Sequence, residues 1–271
     1  MNLLWNKKVE VRDLWMPECF GLFIKRDEKV TYFFKSYYEL LSISEGDTQP
    51  RPLYYCGLNG SLELPHRWIV VETPDTAFLL VSEDRGIDLK NNQILYELPS
   101  QFQAAYNQQF LPEKSLVDAP QHLGEFTVLH KGNCGYICMR ETSKLWEFTG
   151  RAYLYTDMMR WKDRLFFGTG GNGGYFYVLD INNGVPLVSI KTGGTSCIVH
   201  VDNLCYVLKN EKNAQLLCVD LTDGRTVSQC DLPGKATIYS RMTLIDNHIH
   251  AITFNISRTK SEGFTWSCIK I

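Results

Sequence analysis

An all-β fold assembled from repeated four-stranded units is what this sequence predicts, and three observations predict it. First, a turn phrase recurs: "VLDINNGVPLVSI", starting at Val178, is echoed by "CVDLTDGRTVSQC", starting at Cys218. Second, another phrase recurs out of step with it. "KDRLFF" from Lys162, "VDNLCYVL" from Val201 and "IDNHIHAI" from Ile245 each put an Asp-containing turn before an apolar run. Third, aromatic residues reach 13%, rich in the Tyr and Phe that suit a pleated surface. Helical periodicity is weak everywhere except in "SQFQAAYNQQF" from Ser100.

The first phrase sets a register. Asp180 is an anchor, Gly184 follows at +4, and bulky or apolar residues follow at +7 and +8. Asp220 repeats this with Gly224 and Val227, and Asp88 repeats it with Asn92, Leu95 and Tyr96. Gly and Asn suit the turn because both tolerate the left-handed conformation. Weaker copies are anchored at Ser42, with Gly46 at +4, and at Cys138, with Leu145 and Trp146 at +7 and +8. The final "TWSCIKI" resembles "YFYVLDI" and puts a last anchor at Lys270. The six anchors are separated by 46, 50, 42, 40 and 50 residues.

With the second phrase added, each repeat reads strand, Asp turn, strand, loop, strand, anchor turn, strand. Four short strands in about 40–45 residues make a propeller blade. The last anchor lacks its following strand. "NLLWNKKV" supplies one, with Trp5 in the +8 place, and a strand from one chain end completing the sheet of the other leaves no raw edge. The expectation is one domain over residues 1–271: a six-bladed β-propeller of four-stranded antiparallel blades, closed by the strand near Leu3 to Val9. Seven blades and a β-sandwich are the alternatives.

Anchor Asp, turn residue and Gly at +3 and +4, and an aromatic or apolar residue at +8 resemble the quinoprotein-type, pyrroloquinoline-quinone-like β-propeller repeat. Catalytic members have more blades, a calcium-held quinone and adjacent cysteines in a ring disulfide. This sequence has no Cys-Cys dipeptide and too few repeats. The resemblance therefore implies the fold without the cofactor, and members without it commonly serve as protein-binding scaffolds.

Composition narrows the function classes. A net charge of −2 and a pI near 6.3 argue against nucleic-acid or membrane-surface binding. No apolar run is long enough to span a bilayer. The N-terminal "MNLLWNKKVEVRDLW" carries charges where a leader would need an apolar core. Nine cysteines without paired spacing fit a reducing cytoplasm and free, mostly buried thiols. The glycine run "GTGGNGGYFY" from Gly168 precedes a strand and lacks a Lys, so it reads as a flexible loop and not as a phosphate cradle. His248 and His250 share a strand face, but no third metal ligand is evident. "CGYIC" at Cys134–Cys138 reads as two buried thiols. No catalytic, cofactor or metal residue is assigned.

The longer spacings mark insertions near 100–124 and 254–264. These join "GTGGNGG" and "KNEKNAQ" (from Lys209) on one face, and loop variation gathered on one face of a repeat protein marks a binding face. Tyr106, Phe110, Lys114, Asn172, Lys212, Arg258 and Lys260 are the candidate partner-binding residues, with Gln103 and Gln109 beside them. Aromatic and Arg side chains are what interfaces enrich at their centres. The expectation is a non-enzymatic, monomeric cytoplasmic protein that binds another protein. Its specific version is a bacterial immunity-type protein that neutralises a toxin domain. The competing readings are a glycosidase, lyase or hydrolase using the propeller funnel, and an assembly scaffold.

Overall fold

The computed structural model describes residues 1–11, 21–26, 28–35, 39–55, 69–72, 77–80, 86–88, 93–95, 120–170, 173–195, 197–256 and 261–271. Among these the structure is all-β. β1 is Asn2–Glu10. One sheet holds β2 (Leu22–Arg26), β3 (Lys29–Lys35), β4 (Glu39–Ser44) and β5 (Arg51–Tyr55). A second holds β6 (Ile69–Glu72), β7 (Ala77–Leu80), β8 (Gly86–Asp88) and β9 (Gln93–Leu95). The third comprises β10 (Gln121–Leu123), β11 (Phe126–Lys131), β12 (Gly135–Arg140) and β13 (Ser143–Thr149). The fourth comprises β14 (Met159–Trp161), β15 (Arg164–Gly168), β16 (Tyr175–Asp180) and β17 (Pro186–Lys191). The fifth comprises β18 (Ile198–Val201), β19 (Leu204–Asn210), β20 (Ala214–Asp220) and β21 (Thr226–Leu232). The last comprises β22 (Arg241–Ile245), β23 (His248–Ile256) and β24 (Ser261–Lys270), with β1 on the free edge of β24. Four-stranded antiparallel sheets in sequence order are propeller blades. The fold is of the β-propeller class, and the sandwich alternative falls.

The chain divides into two compact units. Residues 10–113 form one, with the first two sheets, and residues 1–9 with 114–271 form the other, with the remaining four. The second unit carries the site and is described from here on.

Local chemistry builds its blades in the expected register. Asp180 Oδ1 accepts from the Asn182 amide at 2.8 Å, and the Gly184 amide donates to the Asp180 carbonyl at 2.8 Å. Asp220 does the same with Thr222 at 2.7 Å and Gly224 at 2.8 Å. The Thr222 amide first, then the Thr222 and Asn203 side chains, hold the Asp220 carboxyl below its ordinary range by hydrogen bonding to it. Gly184 and Gly224 take φ values of 72° and 77°, which glycine adopts without strain. The residue after each anchor donates back to the preceding Asp turn: Ile181 to Asp163, Leu221 to Asn203, and Ile271 to Asn247. That last bond, with Lys270 opposite His248 as Asp220 is opposite Leu204, confirms Lys270 as an anchor.

One register needs correction. Trp146 pairs with Cys138 across a bulge, as Val188 pairs with Val178 and Ser228 with Cys218. Cys138 therefore occupies the place two before the anchor, and the anchor place belongs to Arg140. The turn here is tighter, closing at the Arg140–Ser143 pair with Glu141 at φ 53°, so counting back from Trp146 overshot by two.

The +7 and +8 positions also separate. Leu145 and Val227, which occupy the same bulge position opposite the third strand, are 37% and 50% exposed, because they face solvent on the outer strand. The +8 residues turn inward onto the next blade. Trp146 packs on Gly184, where an added Cβ would lie 2.6 Å from the indole, and its Nε1–H donates to the Ile181 carbonyl at 2.7 Å. Val188 packs on Gly224 in the same way, 2.6 Å from where a Cβ would stand. In these two blades the side chain paired with the residue two places before the anchor, Trp146 or Val188, thus docks on the turn glycine of the blade that follows. Three apolar clusters fill the spaces between successive blades of this unit.

The N-terminal strand does what the missing sixth repeat required. Trp5 stands edge-on to Trp266 at 5.3 Å and to His250 at 6.2 Å, with Lys7 4.8 Å above the Trp266 ring. His250 is part of this core. The Trp266 indole donates to its Nδ1 at 3.1 Å, which places the imidazole proton on Nε2. Burial first, then His248, drop its pKa to about 4, against a smaller opposing pull from Asp246. The folded state thus refuses a proton that the unfolded chain takes up near pH 6.5. His250 contributes its full stabilisation above pH 6.5 and loses it as pH falls toward 4. Urea unfolding of the wild type is expected to lose about 3 kcal/mol more than His250→Phe between pH 7 and pH 4. Equal losses in the two proteins would remove His250 as the cause.

Candidate binding face

At one end of these four sheets the connections are uniform. Gly124–Glu125, Lys162–Asp163, Asp202–Asn203 and Asp246–Asn247 make tight turns, beside the anchor turns. At the other end they differ: residues 132–134, 169–174, 211–213 and 257–260 link second to third strands, and 150–158, 192–197 and 233–240 link blade to blade.

Several of the described connections at this end are pinned. The Tyr155 and Thr156 amides both donate to the Gly168 carbonyl, at 3.0 and 3.2 Å, and the Gly168 amide donates to Thr156 Oγ1 at 2.8 Å. Thr169, Thr192 and Thr195 are fully buried. Thr169 Oγ1 accepts from the Tyr175 amide at 2.8 Å, and the Thr192 and Thr195 hydroxyls lie 2.8 Å apart. The glycine run thus departs from the flexible-loop expectation at both ends. A Cβ on Gly168 would come within 2.4 Å of Thr195, and one on Gly174 within 2.4 Å of the Thr169 carbonyl. These glycines permit close backbone packing. The 233–240 connection is tied by Lys235 and Phe254 exchanging backbone bonds at 2.9 Å.

A tyrosine and arginine cluster crosses this end. The Arg151 amide donates to the Tyr177 hydroxyl at 2.9 Å, and its guanidinium donates to the Tyr175 hydroxyl at 3.2 Å while lying 5.6 Å from that ring's centre. Tyr175 and Tyr177 stack at 5.6 Å. Tyr153, 40% exposed, meets Tyr155 edge-on at 6.2 Å, and both rings rest on the bare backbone of Gly170. Burial raises the Tyr155 and Tyr177 pKa values above the ordinary phenol range.

Of the sequence-assigned residues, Lys212 is exposed at the turn from β19 to β20, and the Lys235 ammonium caps the Glu211 and Lys212 carbonyls. Gln103, Tyr106, Gln109, Phe110, Lys114, Asn172, Arg258 and Lys260 lie outside the described residues. Arg151, Tyr153, Tyr155 and Tyr175 were missed. The string "GRAYLYTD" from Gly150 held the signal of the first three, an Arg with alternating tyrosines between two strands.

Burial blunts the nucleophilicity of several described thiols. Of the seven described cysteines, four are buried and Cys134 is half-buried. Burial pushes Cys138 up to about 11 and raises Cys205 further, which keeps both protonated. Among the described residues no three His, Cys, Asp or Glu side chains gather closely enough to hold a metal ion, and His250 is committed to Trp266.

No protein-family model and no curated protein matches the chain. Solved structures do align with it. BamB from Moraxella catarrhalis aligns at 11% identity over 92% of this chain and 82% of that one, with a TM-score of 0.44. Apo AztD from Citrobacter koseri aligns at 15% identity over 79% of this chain and 60% of that one, with a TM-score of 0.34. At this level of superposition the fold assignment rests on the strand order and registers of the chain itself.

Proposed function

We propose that this chain is a non-enzymatic, protein-binding β-propeller of the quinoprotein-type repeat lineage, which presents the variable end of its blades to a partner protein. The lineage is supported by the matching anchor turns at Asp180 and Asp220, with the +8 side chain of one blade docked on the +4 glycine of the next. The binding role is carried by one observation: variable connections gather at one end, where buried hydroxyls and glycines hold them in place, while the opposite end is uniform tight turns. Preorganised loops spare a binding surface the entropy of ordering them. A cytoplasmic immunity-type protein that caps a toxin domain is the specific form of this reading.

Photo-crosslinking in the source cells tests it. A photoreactive residue at position 153 or 212 is expected to capture a discrete protein partner, and one at position 183 or 225, on the opposite end, is expected to capture none. Capture only from positions 183 and 225, or from none of the four, would overturn the reading.

A further inference from the structure

Among the described residues, some cations of the variable end are engaged, Arg241 with the Ser240 carbonyl among them, and others pair with no carboxylate. Lys131 binds Glu147 at 2.6 Å and, together with Lys144 reaching the same carboxylate at 2.7 Å from the anchor-turn end of β13, holds its carboxyl down to about 2. Lys209 pairs with Glu211, and Lys235 is spent on carbonyls. Arg151, Lys191 and Lys212 are exposed and, among the described residues, none of them has a carboxylate within ion-pairing distance.

These three cations are consecutive across the blades. Arg151 lies over Tyr175. Lys191 is directly opposite Tyr175 in the β16–β17 ladder, and directly opposed residues project from the same side of a sheet. From Lys191 the chain enters the 192–197 connection, where the Asn210 amide donates to the Thr192 carbonyl at 2.8 Å and Gly193 abuts Asn210. Asn210 opens the turn that carries Lys212. The order is Arg151, Tyr175, Lys191, Lys212, with Tyr153 exposed beside the first.

The geometry points to a recognition stripe for an acidic segment of a partner protein, laid across three successive blades with its carboxylates on Arg151, Lys191 and Lys212 and an apolar side chain against Tyr153 and Tyr175. Charge complementarity selects this occupant. The stripe offers three unneutralised cations in a chain whose net charge is −2. The tyrosine hydroxyl preorganises the guanidinium for a carboxylate, and a planar fork held in place binds one in two-point fashion. Asp157, the acid of the same connection, is itself engaged. The inference deepens the protein-binding reading and rests on it.

The test is panning of a random-peptide library on the full-length chain. Selected peptides are expected to be enriched in Asp and Glu near an aromatic or aliphatic residue, and to bind more weakly as salt rises. Arg151→Ala and Lys191→Ala should each weaken them about tenfold and Lys212→Ala several-fold. Arg225→Ala, at the opposite end, should leave binding unchanged. Arg151→Glu should bind a peptide in which one acid is replaced by Lys better than the original peptide. Thermal melts of each variant matching the wild type would exclude misfolding. The stripe is overturned if no peptide is selected, if the selected peptides lack acids, or if acidic peptides ignore Arg151 and Lys191. It is also overturned if single-stranded DNA competes for the same residues, which would make it a phosphate site. Failure here with crosslinks retained from positions 153 and 212 would leave the protein-binding reading standing.

Discussion

A chain lacking residues 1–9 is expected to lose at least about 4 kcal/mol of stability, roughly a 10 °C fall in melting temperature. The deletion bares the β24 edge and removes Trp5 from Trp266 and His250. It also takes Val9, which is buried, and Met1 and Leu3, which pack on the cluster shared by the last two blades. An uncovered strand edge adds a second liability, since it can pair with another copy. Circular dichroism melts and sedimentation measure both effects. Adding a synthetic peptide of residues 1–10 is expected to restore part of the lost stability. A truncated chain that melts with the wild type would show that β1 carries no closure energy.

The second large effect is at the docking of one blade on the next. Trp146→Ala removes a side chain that is 6% exposed and leaves the Ile181 carbonyl without its 2.7 Å indole donor. A loss of about 3–5 kcal/mol is expected. Trp146→Phe keeps most of the packing and forfeits the bond, for about 1–2 kcal/mol. Gly184→Ala attacks the contact from the other side. It strains a φ of 72° and drives a methyl into the indole, for about 2–3 kcal/mol. In the double variant the vacated indole site accepts the methyl, so urea-unfolding free energies should fall short of additivity by more than about 1 kcal/mol. Strict additivity would mean that the two residues do not meet.

What the sequence determined by itself was the repeating architecture. The Asp turns and anchor turns are local chemistry, satisfied within a few residues, so they are legible wherever the phrase is kept, as at Asp180 and Asp220. The strand that fills the missing place of the last repeat was legible for the same reason, because Trp5 falls in the position that Trp146 holds in its own blade. Where the turn is two residues shorter, as after Arg140, counting slipped, since only the ladder opposite Cys138 reveals which residues pair. The site was far less legible. Its variable end could be placed from spacing, and Lys212 with it, but the joining of Arg151, Tyr175, Lys191 and Lys212 could not. Those residues come from different strands and connections, and only the packing of consecutive blades lays Arg151 over Tyr175 and ties Asn210 to the 192–197 connection. His250 makes the same point. The sequence shows an imidazole at alternate strand positions, and only the tertiary structure decides that it stays neutral, because Trp266 and Trp5 reach it from neighbouring strands and remove it from water.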